Sequence, residues 1–182
     1  KTITGLSSIL SSKRRLISKL AYIKDWQAKF FESVTEKHKK ATALCMLTGA
    51  RPSEIARGVE ITLVKKNNIP VLIIRILGSK ITETSGQPER ILYVSVSRPE
   101  SLYLAKTITQ GKQTILTHPA NLCAAFIKAG RKAFPGFPET ITPYVFRHQL
   151  ASQLKAAEID PATIAKILGH QATESQQAYG YA

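Results

Sequence analysis

The apolar pattern of this chain changes period twice, and that change limits the folds open to it. Leu6, Ile9, Leu10, Leu16, Ile17, Leu20 and Ile23 recur at helical spacing, and Trp26, Phe30, Phe31 and Val34 continue the pattern on a second short helix. Three β-branched runs then appear: "ITLV" (61–64), "PVLIIRIL" (70–77) and "RILYVSV" (90–96), each bounded by turn residues. A tight turn over 65–68 joins the first two, and a longer polar loop over 78–89 joins the second to the third. Short links of this kind connect antiparallel neighbours, because a parallel pair needs a crossover. Helical signals return afterwards. The expected fold is therefore α+β and mainly α: helices, a small three-stranded antiparallel sheet, then helices again.

The helix boundaries are marked by caps and stops. Thr35 is placed to cap a third helix that carries Ala41, Leu44, Cys45 and Leu47, and Gly49 is its stop. "RPSEIARG" reads as a short helical segment from Pro52 to Gly58. After the sheet, one helix is expected over 121–133, and another after Thr142, with Pro143 in its first turn, to about Ala157. A third follows Asp160 and Pro161 and stops at Gly169, and a last short one begins near Thr173 and carries Tyr179. The loop at Gly136 and Pro138 is punctuation within one domain, so the 182 residues read as a single domain with a sizeable core.

Charge points to the partner. There are 26 Lys and Arg against 12 Asp and Glu, a formal net charge of +14. The basic residues are spread along the chain, from Lys13, Arg14 and Arg15 through Lys37, Lys39 and Lys40 to Lys65, Lys66, Arg131 and Lys132. Such an excess suits a polyanion, and nucleic acid is the better match. No apolar run approaches the ~20 residues of a membrane span, so no membrane partner is expected. Cys45 and Cys123 are isolated, lack metal-ligand spacing and fit a reducing cytoplasmic compartment. The first residue is Lys1 and the sole Met is Met46, which reads as part of a longer chain.

Three short stretches carry candidate chemistry. "LTGARPSEI" sets Arg51 just past a helix stop, with Glu54 three residues on. A guanidinium fixed there can grip two phosphate oxygens, and Glu54 can orient it, although alone the pair also reads as a surface ion pair. "TPYVFRHQLAS" puts Tyr144 and Arg147 on one face of a capped helix, with His148 four residues after Tyr144. "ILGHQATESQQAYGYA" puts His170 directly after the Gly169 stop, with Tyr179 nine residues later.

"TGARPSEI", "FRHQLAS", "LGH" and that following tyrosine, in this order and with the sheet between the first two, resemble the tyrosine recombinase (phage integrase) family. The resemblance spans at least residues 47–179 and implies the family's catalytic fold. It implies a DNA strand-breaking and rejoining enzyme that works through a 3′-phosphotyrosine without a cofactor or metal. In that scheme Arg51 and Arg147 clamp the scissile phosphate, His170 adds a contact, and Tyr179 is the nucleophile. Lys80, in "GSKITETSG", takes the place of the lysine that protonates the leaving 5′-oxygen. Glu54 and His148 are supporting residues. Tyr181 lies about 200° round a helix from Tyr179 and is expected to pack rather than react.

Tyr144 departs from the pattern, because the family usually has histidine there. A phenol, with a pKa near ~10, is a poor base at neutral pH but can donate a hydrogen bond to phosphate. The resemblance further implies double-stranded DNA as partner and a homotetramer on DNA for the full-length protein. An N-terminal core-binding domain is expected to be missing from this chain, and a bacterial cytoplasmic, nucleoid-associated location is expected. Integration or excision of a mobile element is the leading role. A type IB topoisomerase-like enzyme and a DNA-binding relative without catalysis are the alternatives.

Overall fold

The structure is a computed structural model that describes residues 12–82 and 86–170. Among these residues, helices α1 (Ser12–Ala21), α2 (Trp26–Ser33), α3 (Glu36–Thr48) and α4 (Pro52–Ile55) precede strands β1 (Val59–Lys66), β2 (Ile69–Leu77) and β3 (Glu89–Ser95). Helix α5 (Pro99–Thr107), strand β4 (Lys112–Ile115) and helices α6 (Pro119–Ala133), α7 (Pro143–Ala156) and α8 (Pro161–Leu168) follow. The α+β, mainly helical class expected from the sequence is what forms.

The sheet corrects the expectation in one respect. It has four strands rather than three, in the order β3-β2-β1-β4, all antiparallel. The turn between β1 and β2 has Asn67 and Asn68 at φ 51° and 63°, the left-handed pair that matches the twist of a two-residue hairpin. One inward row of the sheet runs Ile115–Val59–Ile76–Arg90 across the four strands. Its first three members are buried aliphatics, and the fourth is a buried arginine. Helix α5 was also not expected. Helix α6 starts two residues earlier than its apolar pattern suggested, because His118 caps it by accepting from the Ala120 amide.

Thr35 and Thr142 occupy the N-cap positions expected of them, yet neither side chain makes the capping bond. Asp160 does, accepting from the Thr163 amide at 2.9 Å. Gly49 ends α3 at φ 63° and Gly169 ends α8 at φ 72°, left-handed conformations that glycine adopts without steric cost.

The main core holds the sheet's inner face against α2, α3, α6 and α7. At its centre Phe30, Phe126 and Phe146 lie 5.0–5.6 Å apart ring to ring, with Trp26 at 5.3 Å from Phe146. These separations are those of tilted and edge-on aromatic pairs, which contribute beyond their area alone. Phe146 is the residue before Arg147, so the aromatic cluster that seats α7 also sets where that arginine stands. A smaller cluster of Ala151, Ile164 and Leu168 binds α8 to α7.

Candidate functional site

The site begins where three chain breaks meet: the end of α3, the start of β3 and the end of α8. Arg51 is the N-cap residue of the one-turn helix α4, with Pro52 in the first turn. Its backbone amide donates to Glu54 Oε2 at 2.8 Å, and its Nη1 donates to Glu54 Oε1 at 2.8 Å. Glu54 is fully buried. The same carboxylate receives a second fork: Arg90 Nη1 and Nη2 reach Oε1 and Oε2 at 3.0 and 2.9 Å. Burial pushes the Glu54 carboxyl up, but the hydrogen bonds and charge of Arg90, with those of Arg51, outweigh it and hold it below the usual carboxylate range.

Arg147 enters from α7 and is 1 % exposed. Its Nη1 donates to the Gly49 carbonyl at 2.8 Å, and its Nη2 donates to the Leu168 carbonyl. The guanidinium thus ties the end of α3 to the end of α8. Arg147 Nη2 also lies 2.9 Å from His170 Nε2. A guanidinium has only donors, so this imidazole nitrogen accepts and the ring proton sits on Nδ1. Burial pushes the His170 pKa down to about 4, with the charges of Arg147, Arg51 and Arg90 adding to the effect. The ring is therefore neutral at pH 7.

Two guanidiniums share the Glu54 carboxylate, and a third, from Arg147, meets the neutral His170 imidazole beside them. Cations held out of water in this way can stabilise a bound anion more strongly than the same groups would in water. Among the described residues no three of His, Cys, Asp and Glu stand close enough together to hold a metal ion.

Residues 20–181 match the pattern described as the phage integrase family. The chain belongs to the phage integrase family. It is 30% identical to the tyrosine recombinase XerC of Rickettsia canadensis (strain McKiel) over 155 residues, covering 79% of this chain and 46% of that protein. Over 148 residues it is 28% identical to the XerC of Rickettsia bellii (strain OSU 85-389), covering 75% and 45%. The chain thus spans about half the length of the curated relatives it matches. In fold it is similar to the XerA recombinase, with a TM-score of 0.62 at 18% identity over 87% of this chain and 59% of that one. It is also similar to the XerH recombinase bound to its difH substrate, with a TM-score of 0.56 at 16% identity over 86% and 48%.

For this phage integrase family chain, Arg51, Glu54, Arg147 and His170 come together as the motifs suggested. Tyr144 lies one turn before Arg147 on α7 and is partly buried, and His148 is buried directly after it. Lys80 is exposed on the loop after β2. The base of that loop is closely tied down. Gly78 N donates to the Pro88 carbonyl at 2.9 Å, and Arg57 Nη1 donates to the Gly78 carbonyl at 2.7 Å. The Ser53 and Ser79 hydroxyls meet at 2.7 Å. On the returning side, Gln87 Nε2 donates to the His170 carbonyl at 2.8 Å. Tyr179 and Tyr181 lie outside the described residues.

Arg90 is the member that motif reading missed. The signal was present in "ERILYVS": on β3, Arg90 falls on the same face as Leu92 and Val94, so strand alternation places a charge inward. A charge at such a position needs a buried partner, and Glu54 is that partner.

Proposed function

We propose that this chain is the catalytic domain of a site-specific DNA recombinase that cuts and rejoins double-stranded DNA through a 3′-phosphotyrosine. The observation that carries the reading is the set of arginines around His170, with Glu54 held between two of them, in a chain of this family. The XerH and Tn1549 integrase structures were solved with DNA, at TM-scores of 0.56 and 0.53, which supports DNA as the anion.

In the proposed reaction Tyr179 Oη attacks the scissile phosphorus. The bond from phosphorus to the 5′-oxygen breaks as the bond to tyrosine forms. Arg51 and Arg147 donate to the non-bridging oxygens, whose charge grows in the transition state. His170 adds a donor once its ring proton has moved from Nδ1 to the nitrogen that meets phosphate. Lys80 delivers the proton that the leaving 5′-oxygen needs, and the tyrosine's proton passes to His148 or water. Tyr144 contributes a hydrogen bond to phosphate in place of the family's usual histidine. Attack by another 5′-hydroxyl on the phosphotyrosine reverses these steps and joins the strands, so no cofactor is consumed. Full-length protein assembles as a homotetramer on DNA and serves integration or excision of a mobile element.

A nicked suicide duplex tests this, because it traps the covalent intermediate as a slow band on a denaturing gel. Tyr179→Phe should abolish that band while DNA binding persists, and Tyr181→Phe should keep it. A band that survives the first change and disappears with the second would overturn the assignment.

A further inference from the structure

Arg90 sits at the end of the sheet's inward row, beside Ile76, and its side chain is 4 % exposed. It occupies a crossing point between two parts of the site. On one side its forked donors hold both oxygens of Glu54, the carboxylate that also holds Arg51 by side chain and backbone. On the other side it packs against Gly169, the residue before His170. A Cβ added at Gly169 would meet Arg90 Nη1 at 2.6 Å, closer than a real side chain tolerates. Gly169 also has φ 72°, so this residue is glycine for two reasons at once.

The segment leading into Arg90 is bound to the same place. Gln87 donates to the His170 carbonyl, and its amide faces the Gly169 carbonyl at 3.4 Å. The loop that ends there bears Lys80, and its two stalks approach so closely that a Cβ at Gly78 would lie 1.9 Å from the Gln87 carbonyl oxygen. Four residues of the proposed chemistry thus depend on one strand start: Arg51 through Glu54, His170 and its Arg147 neighbour through Gly169, and Lys80 through the loop stalk.

We infer that Arg90 is a positioning residue, which through Glu54 and Gly169 fixes Arg51 and His170 relative to each other and to the Lys80 loop. This rests on the recombinase reading above. Each Nη of Arg90 gives an N–H to Glu54, which fixes the plane of the guanidinium, and among the described residues its buried Nε makes no hydrogen bond. With its fork turned to Glu54 and its guanidinium against Gly169, Arg90 acts through these neighbours. The planar fork is essential to this role. Lysine could keep the charge and one bond to Glu54, but not the second bond or the guanidinium contact with Gly169.

The test compares the parent chain with Arg90→Met and Arg90→Lys on a nicked suicide duplex. Single-turnover adduct formation and DNA Kd are measured at a temperature where melting curves show each protein folded. Arg90→Met should slow cleavage roughly a hundredfold, the scale expected when reacting groups shift by about an ångström. Its DNA Kd should stay within about threefold, since surface cations supply most of the attraction. Arg90→Lys should fall between the two. In NMR spectra, the Arg51 side-chain Nε–H signal should shift and exchange faster with water in both variants. If Arg90→Met does not fold, Arg90→Lys decides alone. A folded variant that cleaves at the parent rate, or an Arg51 signal that does not move, overturns the role of Arg90. A parent chain that forms no adduct overturns the recombinase reading instead, and the Arg51 signal still decides whether Arg90 positions it.

Discussion

Glu54 holds two arginines of the candidate site with one buried carboxylate. Among the described residues it is the carboxylate that pairs with both Arg51 and Arg90, and all three groups are nearly out of water. A buried ion pair is weak evidence of net stabilisation, but removing one partner leaves an uncompensated charge. Glu54→Gln should therefore cost about 3–5 kcal/mol, as expected for breaking a buried pair. Acid should act in the same direction. The carboxyl's folded pKa is depressed, so its contribution is fully present above the ordinary carboxylate pKa and is lost as pH falls through the folded value. Urea melts at pH 7 and at lower pH check both points: parent stability should fall toward acid, and Glu54→Gln should flatten that fall. An unchanged midpoint for Glu54→Gln at pH 7 would show that the arginines are neutralised elsewhere. Sequence reading could name Glu54 and Arg51 because they lie three residues apart, within one helical turn. It could not name Arg90, because a partner 36 residues away is visible only once the strand's inward face is known.

At the scale of elements, the parts read correctly were those whose residues agree with their local period. β2 is nearly all aliphatic, α2 carries an apolar face, and α3 turns from a polar first half to a second half, from Ala41 to Thr48, that is buried all round. The parts missed are those whose residues conceal it. Helix α5 buries Glu100 and Ser101 beside Leu104, so its inward face does not look apolar. The Ser101 hydroxyl accepts from the amides of Ser97 and Arg98 and donates to the Arg98 carbonyl, which makes that burial tolerable. Strand β4, "KQTI", has only Ile115 buried and owes its strand geometry to pairing with β1. The loop between β2 and β3 was legible as a loop, but its narrow neck was not. Gly86 lies where a Cβ would come 1.7 Å from the Lys80 carbonyl oxygen, at φ 79°. Gly78→Ala at the other stalk would force apart strands that nothing flexible can relieve, because the obstructing atom is backbone. Cleavage should drop roughly ten- to a hundredfold, as for misplaced reacting groups, while the melting temperature changes by only a few degrees. An adduct assay with a parallel thermal melt checks this, and full activity in Gly78→Ala would mean that the neck does not set where Lys80 stands.

For the whole molecule, the charge distribution divides into two populations with different tasks. The arginines of the site are almost wholly out of water, so salt in solution screens them little. The larger remainder of the +14 charge lies outside the site on residues such as Lys65, Lys66, Arg131 and Lys132, all of them exposed. These can meet phosphates only by displacing condensed counterions, which makes affinity depend steeply on salt and little on sequence. Binding and chemistry should therefore separate experimentally. Raising salt from about 50 to 200 mM should weaken DNA binding on the order of a thousandfold, the loss expected when several phosphate contacts release counterions. The rate of adduct formation on DNA already bound should change far less, because the groups proposed to stabilise the transition state are shielded. A salt titration by fluorescence anisotropy, paired with single-turnover cleavage at saturating DNA, measures the two quantities independently. If the bound-state rate fell with salt as steeply as the affinity, the phosphate would have to be held by exposed lysines. The buried cluster around Glu54 and His170 would then be scaffold rather than the place where the strand is cut.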